Sequence, residues 1–359
     1  MAIYTKLEAK PAPSGSKGIA KWVKDNLFPS VTSSILTILS ILLLCYVIPP
    51  SLDWMIFDAT WSGTKEEITK DGARWIFIYE KFNQFIYGFY PEELYWRPNL
   101  IFVFFVVSII AFKKFKHVKA RAVILILFPI VSFILLYGGF GLEIVPTSNW
   151  GGLLLTVVVA AVGIVVSFPI GILFALGRQS KMPIIKTISV VYIEFIRGVP
   201  LITLLFMASV ILPLFFPEGM TFDKLLRALI GVTLFQAAYI AEVIRGGLQA
   251  IPKGQYEACD SIGLSYWQAM GLVILPQALK ISIPNIVGSF VALFKDTTLV
   301  LIIGLFDVLA MVNLTTTDPN WLGFATEGYV FVTIIYWIIC FSMSKYAQSV
   351  EKRFNTEHK

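Results

Sequence analysis

Glu194 and Arg197 stand three residues apart in Tyr192-Ile193-Glu194-Phe195-Ile196-Arg197-Gly198-Val199-Pro200, in the middle of an apolar stretch. On a helix this spacing puts both on one face, where they can pair. Glu242 and Arg245 repeat the spacing at the end of a second apolar stretch, shortly after Gln236 and Tyr239. Lys295-Asp296-Thr297-Thr298 lies well inside a third. Ionisable groups in such stretches face a cavity, a neighbouring helix or one another, because lipid leaves them unsolvated. Two readings fit the Glu194, Arg197, Gln236, Lys295 and Asp296 set: neutralisation within the structure, or the lining of a translocation path. The second suits a zwitterion, which needs one cationic and one anionic partner. For Glu242 and Arg245, bracing of the loop that follows is the simpler reading. Catalysis does not fit. There is no Gly-x-Ser-x-Gly, no His-Glu-x-x-His and no phosphate-binding Gly-x-x-x-x-Gly-Lys-Ser/Thr loop. His117 and His358 sit in basic segments, and Cys45, Cys259 and Cys340 are scattered, so neither a metal centre nor a disulfide framework follows. No catalytic or metal-binding residue is expected, and any ATP chemistry needs a separate subunit.

The elements that hold these residues are membrane spans. Of 359 residues, 57% are hydrophobic and only 14% charged, which excludes an ordinary soluble core. A span needs about 20 apolar residues to cross the hydrocarbon. Eight are expected, near 31–48, 100–112, 122–140, 153–176, 188–216, 225–243, 281–306 and 329–344, giving an all-α integral membrane fold. The first should end at Pro49-Pro50. Residues 51–97 are rich in acids and tryptophans (Trp54, Trp61, Trp75, Trp96) and read as an external loop at the interface. The tail 1–30 reads as disordered, apart from Ile19 to Phe28, which fits a short interfacial helix. The net charge of +6 comes from clusters beside the spans, so it reads as membrane orientation and not as nucleic-acid binding. Placing every basic cluster inside puts both termini in the cytoplasm and the acidic 51–97 segment outside.

Gly254 to Pro276 interrupts this pattern with a polar island. Ser265 followed by Gln268 is a capping box, so a short helix starts just after a turn at Gly263. Two short helices meeting at a glycine cannot lie in lipid as irregular chain, so this elbow projects into water or another protein. Small Ala258 and Ser261 permit close approach, while Leu264, Tyr266 and Trp267 offer apolar anchor area.

These residues carry a resemblance. Glu257, Ala258, Cys259, Gly263, Val273, Leu275 and Pro276 follow, with Cys259 for alanine and Val273 for isoleucine, the signature of the membrane subunits of ABC importers. The Tyr192 to Pro200 stretch and Ile251 to Ala258 are similar to polar amino-acid ABC permeases. Arg197 to Val210 and Phe294 to Val300 resemble the general L-amino-acid permeases of proteobacteria, the "M" type of subunit. The resemblance implies a five-helix MetI-like permease core at 150–348, with a coupling loop at 250–280. Three extra spans at 31–140, including a periplasmic loop at 51–97, would precede it, and cytoplasmic tails at 1–30 and 349–359 would flank the whole. It implies that Gly254, Gln255, Glu257, Ala258, Cys259, Gly263, Leu275 and Pro276 dock on a cytoplasmic ATPase that carries the ATP and magnesium. It also implies a second permease subunit in a heterodimer, a periplasmic amino-acid-binding protein, an L-amino acid as substrate, and the bacterial inner membrane as location. An ion-coupled secondary amino-acid transporter is the alternative, kept open by Glu194 and Asp296, though nothing in that class explains the elbow.

Overall fold

The computed structural model describes residues 18–62, 72–114, 117–217 and 222–356, and among them every regular element is a helix. Lys6, Lys10, Lys17, Glu66, Glu67, Lys116 and Lys359 lie outside the described residues. The chain divides into two units, 1–76 and 77–359.

In the first unit, α1 (Ile19–Leu27) is followed by Phe28, Pro29 and Ser30, and then by α2 (Val31–Leu52). Ser30 caps α2, its Oγ accepting from the Ser33 N–H at 3.2 Å. Contrary to expectation, α2 does not stop at Pro49-Pro50. Both prolines are inside it, and the helix runs on through a wider turn at Asp53–Phe57. Two successive prolines remove two donors. The widened turn that follows re-pairs the chain, with Asp58 N–H reaching back five residues to Asp53 O. Beyond it Trp54, Trp61 and Trp75 cluster, and Trp75 Nε1 donates to Met55 O at 2.9 Å.

In the second unit the helices are α3 (Ile76–Tyr87, entered from the end of the first unit), α4 (Trp96–Lys114), α5 (Val118–Tyr137), α6 (Gly152–Gln179), α7 (Pro183–Gly198) and α8 (Leu201–Phe206). They continue with α9 (Lys224–Gln249), α10 (Lys253–Ser261), α11 (Tyr266–Ala269), α12 (Leu275–Asp296), α13 (Val308–Thr316) and α14 (Ala325–Thr356). The 51–97 segment is therefore not only loop, since α3 buries Phe77 and Phe85 against Trp321, Phe324 and Phe331.

Among the described residues, six helical stretches are long and apolar enough to cross a membrane, and seven if the bent pair α7 and Leu201–Phe215 counts as one. The expected span at 122–140 falls on α5, in which Leu127–Tyr137 is the apolar stretch among the described residues. The span expected over 188–216, with Gly198 and Pro200 expected only to loosen it, is bent by 105° between Gly198 and Leu201. Pro200 causes the break. It forces Val199 out of the helical region, to φ −108° and ψ 134°, and offers no N–H of its own. Between the last two expected spans, the segment 307–328 holds α13, capped by Asp307.

α9 is the central post. It packs along α6, α12, α7 and α8, and half of its length is buried. Small residues allow the approach: a Cβ on Gly171 of α6 would stand 2.6 Å from Ile240 Cγ2, and one on Gly247 would stand 2.5 Å from Ala278 O of α12. Close backbone packing of this kind is how helices associate where lipid removes the hydrophobic drive. Two apolar clusters result. One, around Trp150, Leu155, Val232 and Leu293, lies toward the start of α6. The other, around Ile193, Ile240, Ile244 and Ile274, lies toward its end and supports the elbow.

Candidate functional site

The elbow has the form its local sequence dictates. α10 ends at Ser261, and Gly263 takes φ +73°, a conformation that favours glycine. The capping box is present, with Gln268 Oε1 accepting from the Ser265 N–H at 2.9 Å. From Tyr266 the chain is helical as far as Ile303, so the span expected to start at Ile281 begins well before it. A wide turn at Met270–Ile274 precedes Pro276, with Leu275 N–H bonded five residues back to Met270 O. This absorbs the proline without breaking the rod.

Gly254, Gln255, Glu257, Ala258, Gly263 and Pro276 are exposed, and Leu275 is half-buried. Cys259 is buried with Ile251, Ala269 and Met270, so it anchors the elbow from beneath. Gln255 accepts from Gln277 Nε2 at 3.2 Å, tying α10 to α12. Leu264 packs inward, while Trp267 and Ile262 are 70% and 73% exposed. Ile262 went unnoticed in the sequence, since only its position one residue before the turn distinguishes it.

The charged residues are brought together differently from their spacing. Glu194 and Arg197 do not pair with each other. Glu194 accepts from Arg178 Nη1 at 2.7 Å, and Arg197 lies 3.9 Å from Glu242. Glu242 also faces Arg178 at 3.4 Å and takes a two-pronged bond from Arg245 at 2.5 and 2.8 Å. Three guanidiniums therefore surround two carboxylates, joining α6, α7 and α9 at the end that carries the elbow. Arg197 also lies 5.7 Å over the ring of Tyr239. Tyr192 adds a further tie, stacking on Phe174 at 4.0 Å and donating to Leu234 O at 2.6 Å. Beside this network a cleft of about 470 Å³ opens between α9 and α12, lined by Glu242, Arg245, Gly246, Ser282 and Asn285 among others.

Gln236 is buried in α9, its Nε2 without a partner among the described residues. Lys295 and Asp296 sit apart from the network, where α12 tightens into the 3-10 turn Thr297–Ile303. Lys295 is exposed and Asp296 half-buried. A second polar centre was not foreseen. Asp307 is fully buried, accepting from Ala310 N–H at 2.9 Å and from the Tyr336 hydroxyl at 3.3 Å. Thr156 of α6 accepts from Val308 N–H at 3.1 Å alongside. Burial pushes the Asp307 carboxyl above its ordinary range, against the backbone bonds that favour its charge.

Apolar rods around a small-residue post, a charge network at one end and an exposed elbow beyond it define an all-helical, multi-pass membrane protein. Residues 167–356 match the family described as binding-protein-dependent transport system inner membrane component. The chain is 55% identical, over 97% of its length and 96% of the relative's, to the inner membrane amino-acid ABC transporter permease protein YhdY of Escherichia coli. It is 39% identical, over 98% of both chains, to the glutamate/glutamine/aspartate/asparagine transport system permease protein BztC of Rhodobacter capsulatus. A solved amino acid ABC transporter shares 29% identity with a TM-score of 0.50, covering 56% of this chain and 92% of that one. The chain belongs to the family of inner-membrane permease components of binding-protein-dependent ABC transporters.

Proposed function

We propose that the chain is the membrane permease subunit of an ATP-driven importer of L-amino acids, translocating substrate delivered by a periplasmic binding protein. The observation that carries this is the exposed elbow, held from beneath by Cys259 and Leu264 and offering Ile262, Tyr266 and Trp267 to a partner. Full-length likeness to two amino-acid permeases supports the substrate class and leaves the ion-coupled alternative without support. The partner at the elbow is an ATPase that binds the ATP and magnesium. A second, related permease subunit completes a heterodimer. Both termini and the elbow face the cytoplasm, as the basic clusters require. The permease core is the five-helix part at 150–348, and the matched residues 167–356 lie largely within it. The spans at 31–140 are an addition. Gln236, Lys295 and Asp296 face the translocation path formed with the second subunit, and Glu194 and Arg197 belong to its inner gate.

The test is uptake of labelled L-amino acids into vesicles containing the reconstituted complex. Uptake should require ATP and the binding protein, and should persist when ion gradients are collapsed. Uptake that follows an ion gradient and ignores ATP would overturn the reading.

A further inference from the structure

The first unit carries an exposed apolar surface on its first helix. In α1, Ile19, Trp22, Val23 and Leu27 fall on one helical face and Lys21, Lys24 and Asp25 on the other. The apolar face is not spent on packing: Ile19 is 84% exposed and Trp22 59%. The corner with α2 fixes where this face lies. Thr37 Oγ1 of α2 donates to Leu27 O at 2.6 Å, so the end of α1 stands level with the second turn of α2. The apolar helix Val31–Phe57 has 27 residues, about 40 Å at 1.5 Å per residue, against about 30 Å of hydrocarbon. Its first turns carry Thr32, Ser33, Ser34 and Thr37, with Ser40 beyond, and the unbroken apolar run begins only at Ile41. The level of Thr37 is thus the headgroup–acyl boundary. None of the most apolar window of that helix is buried in protein, so the lipid contact of α2 continues onto α1.

We propose that α1 lies in the plane of the bilayer surface, with Ile19, Trp22 and Leu27 sunk at the acyl boundary and Lys21 and Lys24 on anionic lipid headgroups. This holds the first span at a set depth, and each lysine strengthens the attachment about five-fold.

The test uses the full chain in lipid nanodiscs. Cys45→Ser, Cys259→Ala and Cys340→Ser clear the background, and an environment-sensitive dye is placed through Trp22→Cys or Asp25→Cys. In phosphatidylcholine mixed with phosphatidylglycerol, lipids spin-labelled near the headgroup should quench the dye at position 22 and spare it at 25. Lys21→Gln with Lys24→Gln should lower the quenched population about 25-fold relative to the unquenched one, as should phosphatidylcholine alone. Positions 21, 22, 24 and 25 are all exposed, so the changes made there leave the core untouched. Equal quenching at 22 and 25, or quenching at 22 indifferent to both lipid charge and the lysines, would overturn the proposal. So would shielding of position 22 that arises only on adding another subunit.

Discussion

Asp307 is a carboxylate taken wholly out of water, and its ionisation therefore works against the fold. Burial is the main cause of its raised pKa, so the folded-state value lies above the ordinary 3.8. A group of this kind stabilises fully below 3.8 and loses that contribution as pH rises through the folded value. Asparagine keeps both the cap on α13 and a hydrogen-bonding partner for Tyr336. Asp307→Asn should therefore melt at or above the wild type at neutral pH in detergent, with the wild type catching up as the pH is lowered. Asp307→Ala, which loses the cap, should be less stable than Asp307→Asn by about 1 kcal/mol. A wild type more stable than Asp307→Asn at neutral pH would mean that the carboxylate is stabilised in its charged form.

At the scale of elements, three helix ends are joined through Glu242, which faces guanidiniums from α6, α7 and α9 itself. Among the described residues the one ion pair of Glu194 within 4 Å is with Arg178, and its side chain is 54% exposed against 21% for Glu242. A partly buried, two-pronged pair outweighs an exposed one. Glu242→Gln should thus destabilise by about 1–3 kcal/mol, and Glu194→Gln by well under half of that, in thermal melts of the purified complex. Equal effects would show that the network is not centred on Glu242. Only part of this was legible in the sequence. The Glu242–Arg245 bond and the Ser265–Gln268 capping box are local, set by i, i+3 spacing on one helix. Arg178 carries no such local signal, because its partners are 16 and 64 residues away and meet it only when α6, α7 and α9 pack. Glu194 and Arg197 have the spacing to pair, yet stronger partners on neighbouring helices claim each. Asp307 and Tyr336 were invisible for the same reason, being 29 residues apart. The break at Gly198–Pro200 could be read as loosening, but a bend of 105° depends on what α8 packs against, and α9 supplies that.

For the whole molecule, the elbow and the charge network sit at the same end of α9, with the Gly246-Gly247 pair between them. A force applied to the elbow enters α12 through the continuous helix from Tyr266 and enters α9 through Ile251 and Leu248 in the shared cluster. From there the network can pass it to α6 and α7. That route requires a rigid elbow and an apolar handle on its outside. On the proposed function Trp267 is that handle: it is 70% exposed and stands edge-on to Tyr266 at 5.2 Å, so its removal takes nothing from the core. Trp267→Ala should leave the melting temperature of the permease nearly unchanged and weaken binding of the ATPase by about tenfold or more, measured by titration in nanodiscs. Leu264→Ala should do the reverse, loosening the elbow through lost packing. Gly263→Pro combines both faults, since proline cannot adopt φ +73° and removes the N–H that bonds to Asp260 O. It should insert normally yet bind ATPase poorly. Unchanged ATPase affinity in both Trp267→Ala and Gly263→Pro would place the coupling contact elsewhere. A loss confined to Gly263→Pro would show that the elbow's shape carries the contact, without its exposed tryptophan.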